Sequence, residues 1–382
     1  HLRMALAGMP KVADGDVSCE VDASALPLLA KDAFSIDGAG TLEIDDAFSV
    51  TQGKAGTWQL GIHIAAPALG LPAAAQERAE QLMTSVYLPD RKIMQFPESV
   101  VHAYALRAGC ECPAISLLQD FDPETGRIGP PQLQIGKVQV AANLSLDSFL
   151  DWQPGDPGEF SRQLAVLSMF CKQLPSGRNT RALERSFIVR SSSESGLRII
   201  PRQRLAEIDA VVAALMVHYN QAGTERLRAA QAARLLRSAG RNLVRDRGDD
   251  RHQEYAWLSS PLRRYIDLLN QQQLIAVLDG RNLPHDADFM RKQALDYDEH
   301  AAAARRAQQI LERYWAFHWL QPRIGEVFTG VIGKCRRSVH LDDLPVAVKL
   351  DKPAVLAEAT PVKVRVESVD LGELVGRGKL CA

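Results

Sequence analysis

Residues 35–47 read SIDGAGTLEIDDA and gather four carboxylates, Asp37, Glu43, Asp45 and Asp46, between two β-type runs. Crowded carboxylates repel and raise one another's pKa, so such a cluster persists at neutral pH when a divalent cation or solvent disperses its charge. Magnesium suits this stretch, which offers no His or Cys. That hard cation prefers oxygen ligands, keeps several waters, and takes one or two carboxylates alongside substrate phosphate. Metal-assisted phosphoryl chemistry is the functional reading. The alternative is that Asp37-Gly38 and Asp45-Asp46 are ordinary turn and cap residues, and on pattern alone that plainer reading carries more weight.

The elements that must position these residues fall into three regions. Up to about residue 150, short β-type runs (VSCEV, AFSI, AFSVT, TWQLGIHIA, AISLLQDF, PQLQIGKVQVAANL) alternate with Gly, Pro and Asp, which predicts a mostly antiparallel β region. From Gly158 the period becomes helical, in EFSRQLAVLSMFCKQL, LAEIDAVVAALMVHYNQAGTERLRAAQAARLLRSA, LRRYIDLLNQQQLIAVL and DADFMRKQALDYDEHAAAARRAQQILERYWAFHWL. After Gln321-Pro322 the period returns to two in IGEVFTGVIGKC, LPVAVKL and PVKVRVESVDL, which predicts a small β-barrel. The fold class expected is α+β.

Composition sets outer bounds. With 382 residues, 46% hydrophobic and 24% charged, the chain supports a sizeable core and more than one domain. No run approaches the roughly 18 apolar residues of a membrane helix, so a cytoplasmic protein with no membrane contact is expected. The six cysteines are scattered without zinc-ligand spacing and read as reduced thiols. A net charge of −1 is neutral on nucleic acid, but Arg226 to Arg264 holds ten arginines and no lysine against four acids. That stretch therefore carries a net positive charge.

SIDGAGTLEIDDAFSV, GIHIAAP, TSVYLPDRKIMQFPE and YAWLSSPLRRYIDLL stand here in the order they take in the RNB exoribonucleases of the ribonuclease II and ribonuclease R type. The chain resembles that family from about Ala33 to Leu320. The resemblance implies a magnesium-dependent hydrolase, with manganese as a substitute ion. It would degrade single-stranded RNA from the 3′ end to nucleoside 5′-monophosphates, as a monomer needing no protein partner. It also implies a lead-in at 1–32 left from an upstream domain, a catalytic domain at 33–320, and an S1-like OB-fold at 321–382.

By the same resemblance Asp37 and Asp46 hold metal, and Asp45 meets the terminal 3′-hydroxyl. Glu43, where the family usually has Asp, is carried over as a third metal residue, with ligation direct or through water. Arg263 grips the scissile phosphate, with Arg264 beside it, and Tyr87 and Phe187 stack on bases. Stacking contributes on the order of 1–3 kcal/mol per base without reading sequence, which suits an enzyme that advances over every nucleotide. The plainer readings are helix capping for the arginines and core packing for the aromatics and for His63. Ala213 and Ala214 replace a Glu pair, Gln308 a Glu, and Ala66 an Asp. These departures motivate an alternative, a non-catalytic RNA-binding protein that keeps the fold. A metal-dependent DNA nuclease would use the same chemistry but a channel indifferent to the 2′-hydroxyl.

Overall fold

Alternating apolar residues build the first sheet. In the computed structural model, which describes residues 17–19, 21, 23–53, 56–145, 160–174, 187–192, 196–201, 206–238, 241–245, 254–342 and 344–381, strands β1 (Leu28–Asp37), β2 (Asp46–Gln52) and β3 (Trp58–Ala65) run as a meander. A short hairpin, β4 (Val86–Tyr87) and β5 (Lys92–Ile93), stands off the sheet. Strands β6 (Glu111–Asp122), β7 (Arg127–Ile128) and β8 (Gln132–Ser145) complete it in the order β3-β2-β1-β8-β6-β7. The sheet closes on itself because β6 also pairs with β3. An odd ring of five strands must contain one parallel pair; here it is β1 with β8, and the remaining pairs are antiparallel.

Phe34, Phe48, Ile62 and Leu117 line up across one face. That face packs against helices that follow later in the chain, through Leu167 and Phe170 on one and Leu215 and Tyr219 on another. The opposite face brings Ala47, His63 and Ser116 into register and places Gly61 beside Ser49. His63 is fully buried, its Nδ1 2.7 Å from Ser116 Oγ and its Nε2 2.9 Å from Ser49 Oγ. A Cβ on Gly61 would stand 2.3 Å from Ser49 Oγ and 2.5 Å from His63 Nε2, so glycine is what admits this polar pair.

The helices are α1 (Ala73–Leu82), α2 (Glu98–Tyr104), α3 (Ser161–Gln173), α4 (Ala206–Ala229), α5 (Tyr265–Leu278) and α6 (Ala287–Leu320), the last capped by the Asp286 side chain. The helical expectation ran too far at α4. Gln231 takes φ 53° and the Ala232 amide returns to the Leu227 carbonyl at 3.0 Å, which ends the helix. The following RLLRS is a strand, because pairing on both edges outweighs its helical pattern. Two further strands, β9 (Phe187–Ser192) and β10 (Gly196–Pro201), form a hairpin in the region read as helical. They precede β11 (Arg234–Ser238), β12 (Arg241–Arg245) and β13 (Tyr255–Ala256). The chain ends in a closed barrel of β14 (Val327–Ile332), β15 (Ser338–Leu341), β16 (Ala347–Leu350), β17 (Pro361–Asp370) and β18 (Val375–Leu380), ordered β14-β15-β16-β18-β17. Phe317 and Leu320 at the end of α6 enter the core of that barrel. Among the described residues no helix is long and apolar enough to cross a membrane.

Burial lowers the His63 pKa from its ordinary 6.5 to about 3. Below pH 6.5 the unfolded chain takes up a proton that the folded one refuses, so stability present above that pH falls by up to about 1.4 kcal/mol per pH unit down to about pH 3. Urea denaturation between pH 7 and pH 5 is expected to show a steeper loss for the wild type than for His63→Gln.

Candidate active site

The β1–β2 loop brings the carboxylates to one rim of the closed sheet. Asp37 ends β1 and Asp46 opens β2, where it pairs with Ile64. Between them the Thr41 amide and hydroxyl both return to the Gly38 carbonyl, at 3.1 and 2.7 Å, with Gly40 at φ 77°. The loop's far side is pinned by the Leu106 amide on the Ile44 carbonyl (3.0 Å) and the Ala65 amide on the Asp45 carbonyl (2.8 Å).

Burial pushes the Asp37 carboxyl above the ordinary carboxylate range, with Ser35, Arg263 and Lys92 opposing. Asp46 is pushed well above that range by burial and by the neighbouring Asp37 and Asp45 charges, with Arg263 opposing. Asp37 Oδ2 is buried and has no hydrogen-bond partner. An orphaned anionic oxygen beside a second crowded carboxylate fits a hard divalent cation. Among the described residues no group of three or more His, Cys, Asp or Glu is gathered to hold a metal. A cation here would therefore lean on Asp37 and Asp46 and complete its shell with water and substrate oxygen, which is magnesium's usual habit.

Asp45 faces elsewhere and is 2% exposed. Its Oδ1 accepts from the Leu262 amide at 2.8 Å and its Oδ2 from Arg263 Nε at 3.0 Å. Burial raises its pKa to about 7, against the pull of Arg263 and the Leu262 amide. Arg263 Nη2 donates to Ser260 Oγ at 2.7 Å, while the side chain keeps 40% of its surface exposed. The guanidinium is thus anchored along one edge and presents the other.

A backbone splice holds this arrangement. The Ser85 amide donates to the Arg263 carbonyl (2.9 Å) and the Tyr265 amide to the Met83 carbonyl (2.9 Å), so the segment leading into β4 lies antiparallel to the turn before α5. Tyr87 is thereby brought beside the cluster, where its hydroxyl donates to Glu43 Oε2 at 2.9 Å. Burial raises the Tyr87 phenol pKa, with Arg263 opposing and Glu43 and Asp45 adding to the rise. Glu43, expected among the metal residues, turns to this hairpin, taking Ser85 on Oε1 and Lys92 on Oε2.

The RNB domain model matches residues 27–243, more than half of the chain. The chain belongs to the RNB family. It is 24% identical to the uncharacterized ribonuclease sll1290 of Synechocystis over 342 residues, 78% of this chain and 50% of that one. It is 35% identical to the exosome complex exonuclease RRP44 homolog A of Arabidopsis thaliana over 98 residues, 24% of this chain and 10% of that one. The chain thus spans half the length of the cyanobacterial relative. Mycoplasma genitalium RNase R, solved with ribose-methylated single-stranded RNA, matches with a TM-score of 0.76 and 14% identity, over 93% of this chain and 71% of that one. Yeast Ssd1, described as a pseudonuclease, matches with a TM-score of 0.64 and 14% identity, over 83% and 49%. At such identity the likeness concerns the fold alone, and that fold serves RNase R and a pseudonuclease alike. The case for chemistry therefore rests on the side chains.

Around the RNB site, Asp37, Glu43, Asp45, Asp46, Tyr87 and Arg263 form one neighbourhood. Arg264, expected as a substrate contact, points away; it pairs with Asp267 at 2.8 Å and lies 4.3 Å from the Trp257 ring centroid. Phe187 opens β9, but its side chain lies outside the described residues. The arginine-rich stretch divides. Arg226 and Arg228 are exposed on α4, Arg234 is fully buried, and Arg237 lies over the Tyr255 and Trp257 rings. Sequence reasoning missed the residues that position Arg263. Asp267 Oδ1 accepts from the Ser260 amide (2.8 Å), and Asn220 Oδ1 accepts from the Leu258 amide (3.2 Å). Asn270 accepts from the Leu235 amide and donates to the Leu235 and Trp257 carbonyls, each at 2.8 Å. Their signal was available as polar residues interrupting the apolar runs of α4 and α5.

Because folding raises the pKa of Asp46 above its unfolded value, ionising it at neutral and alkaline pH weakens the metal-free protein, and protonation at lower pH relieves that cost. In chelator, Asp46→Asn is expected to raise the melting temperature by a few degrees at pH 8, with a smaller gain at pH 5. Adding magnesium is expected to raise the melting temperature of the wild type and leave that of the variant unchanged. A lower melting temperature for Asp46→Asn in chelator would refute the crowding account.

Proposed function

We propose that the protein is a magnesium-dependent exoribonuclease that hydrolyses single-stranded RNA from its 3′ end to nucleoside 5′-monophosphates. The observation that carries this reading is the crowded Asp37–Asp46 pair with its orphaned buried oxygen, set beside an arginine that Asp45 locks in place. Asp37 and Asp46 would hold the ion. When bound, it supplies charge neutralisation at the scissile phosphodiester and activation of the attacking water.

The chain's own groups do the rest. Arg263, fixed through Nε and Nη2, offers its open edge to phosphate oxygens and offsets the charge that builds in an in-line displacement. Asp45 holds that guanidinium in place. Tyr87 gives the 3′-terminal base a face to stack on. Asp45 has both oxygens engaged by Leu262 and Arg263, so contact with a 3′-hydroxyl would use its remaining lone pairs.

The C-terminal barrel supports the reading of residues 321–382 as an S1-like OB-fold, because five strands closing through one parallel pair, β16 with β18, suit that architecture. Exposed Lys334, Arg336 and Arg337 give it a basic edge for steering RNA by charge. The catalytic unit would be residues 33–320.

The test is 5′-labelled single-stranded RNA, with a matched DNA strand, incubated with magnesium or chelator and resolved on a sequencing gel. A ladder shortening from the 3′ end, on RNA and only with magnesium, is expected for the wild type and absent for Asp46→Asn. Arg263→Lys, which keeps the charge and loses the fork, is expected to lower kcat by on the order of 10². Retarded but intact RNA would point to a binding protein of the pseudonuclease kind.

A further inference from the structure

Glu43 is two residues from Asp45, yet its carboxylate serves another element. It is 3% exposed. Ser85 and Tyr87 alternate along one strand and so present their hydroxyls on one side, where Glu43 accepts both. Lys92 is the cross-strand partner of Tyr87; its ammonium pairs with Glu43 and stands 5.0 Å from the Tyr87 ring centroid. Ser85 Oγ also accepts from the Gln95 amide at 2.8 Å, which ties the far end of the hairpin to the same point. One carboxylate therefore gathers a serine, a phenol and an ammonium from a single hairpin. A metal ion there would compete with these donors, one of them charged, for the carboxylate's lone pairs.

We propose that Glu43 is a positioning residue and not a metal ligand: it fixes the Tyr87 ring and the Lys92 ammonium of the β4–β5 hairpin against the carboxylate rim, where the 3′-terminal nucleotide would stack. The proposal rests on the exoribonuclease reading for its substrate, but its geometry does not. The extra methylene of Glu relative to Asp gives the carboxylate about 1.5 Å of added reach, judged from single-bond length, and that reach is what spans from the loop to the hairpin. Lys92 also lies close enough to Asp37 for its charge to act there.

The test uses Glu43→Gln, which removes the charge, Glu43→Asp, which keeps the charge but shortens the reach, and Tyr87→Phe, which removes one oxygen, each checked for folding by its melting curve. Hydrogen exchange across residues 84–95 is expected to accelerate several-fold in both Glu43 variants. KM for a short single-stranded RNA is expected to rise about tenfold, the size of one lost charge-assisted hydrogen bond, with kcat changing far less. The magnesium concentration for half-maximal activity is expected to stay within about twofold, since no ligand is lost. Tyr87→Phe is expected to raise KM as well, and its effect with Glu43→Gln is expected to be less than additive because both report one contact. A tenfold shift in magnesium dependence with unchanged KM and exchange would make Glu43 a ligand and overturn the proposal. Restored or tighter magnesium use in Glu43→Asp would overturn it too. If the wild type neither binds nor degrades RNA, the exoribonuclease reading fails, and the exchange measurement still decides whether Glu43 holds the hairpin.

Discussion

The contact on which the rest of the site depends is the grip of Asp45 on Leu262 and Arg263. It joins residues 217 and 218 positions apart and ties the rim of the first barrel to the turn before α5. Asp45 is buried while Arg263 keeps a solvent face, so the pair combines the directional strength of charge-assisted hydrogen bonds with only part of the desolvation cost of a fully buried ion pair. Removing either partner would leave a buried acceptor or a charged donor unmatched. The neighbouring backbone splice depends on this grip: with Leu262 and Arg263 fixed, the Arg263 carbonyl and Tyr265 amide are placed to receive the chain from Met83 to Ser85. Tyr87 and Lys92 then follow from hairpin geometry.

The other half of the design is tension. Asp37, Asp45 and Asp46 share one rim, and only Asp45 is matched by a guanidinium at hydrogen-bond distance. Asp37 and Asp46 are left crowded and partly desolvated, a state that a folded protein tolerates when binding later relieves it. Rigid neighbours keep the two from relaxing apart. Asp46 is locked in the β2–β3 ladder, and Asp37 in the parallel pairing of β1 with β8. The one parallel seam of that sheet thus ends at one of the crowded carboxylates, Asp37.

Much of this was legible in the residues, and the failures have physical causes. Period-two patterning located the ring strands of the first sheet and three of the five strands of the C-terminal barrel, missing β15 and β18, while VSCEV is not a strand at its described residues; the carboxylate motif together with SSPLRRY identified Asp37, Asp45, Asp46 and Arg263 as a group. Periodicity failed at Arg234–Ser238, where a helical pattern is overruled by strands on both edges, a tertiary fact with no local trace. Charge counting failed along the arginine-rich stretch, because composition does not distinguish exposed Arg226 from buried Arg234. At Glu43 the sequence left open which element the side chain reaches. Proximity in sequence put it with the aspartates, but in a loop that enters a strand successive side chains diverge, and a longer side chain reaches a different element.

Fold likeness leaves catalysis open, since RNase R and a pseudonuclease share this architecture. Side-chain economics in the physical sense gives a sharper criterion. A scaffold that had lost turnover would gain stability by neutralising Asp37 or Asp46, because burial raises the cost of ionising both and the Asp37 charge adds to that of Asp46. It would also gain by giving the orphaned Asp37 oxygen a partner. Neither relief is present. The departures at Ala213, Ala214 and Gln308 lie on α4 and α6, where Ala213 is exposed and Gln308 bonds Glu312 within its own helix. Among the described contacts, none of the three pairs with Asp37, Asp46 or Arg263. The strain stands where, on the proposed reading, a cation and a phosphate would relieve it.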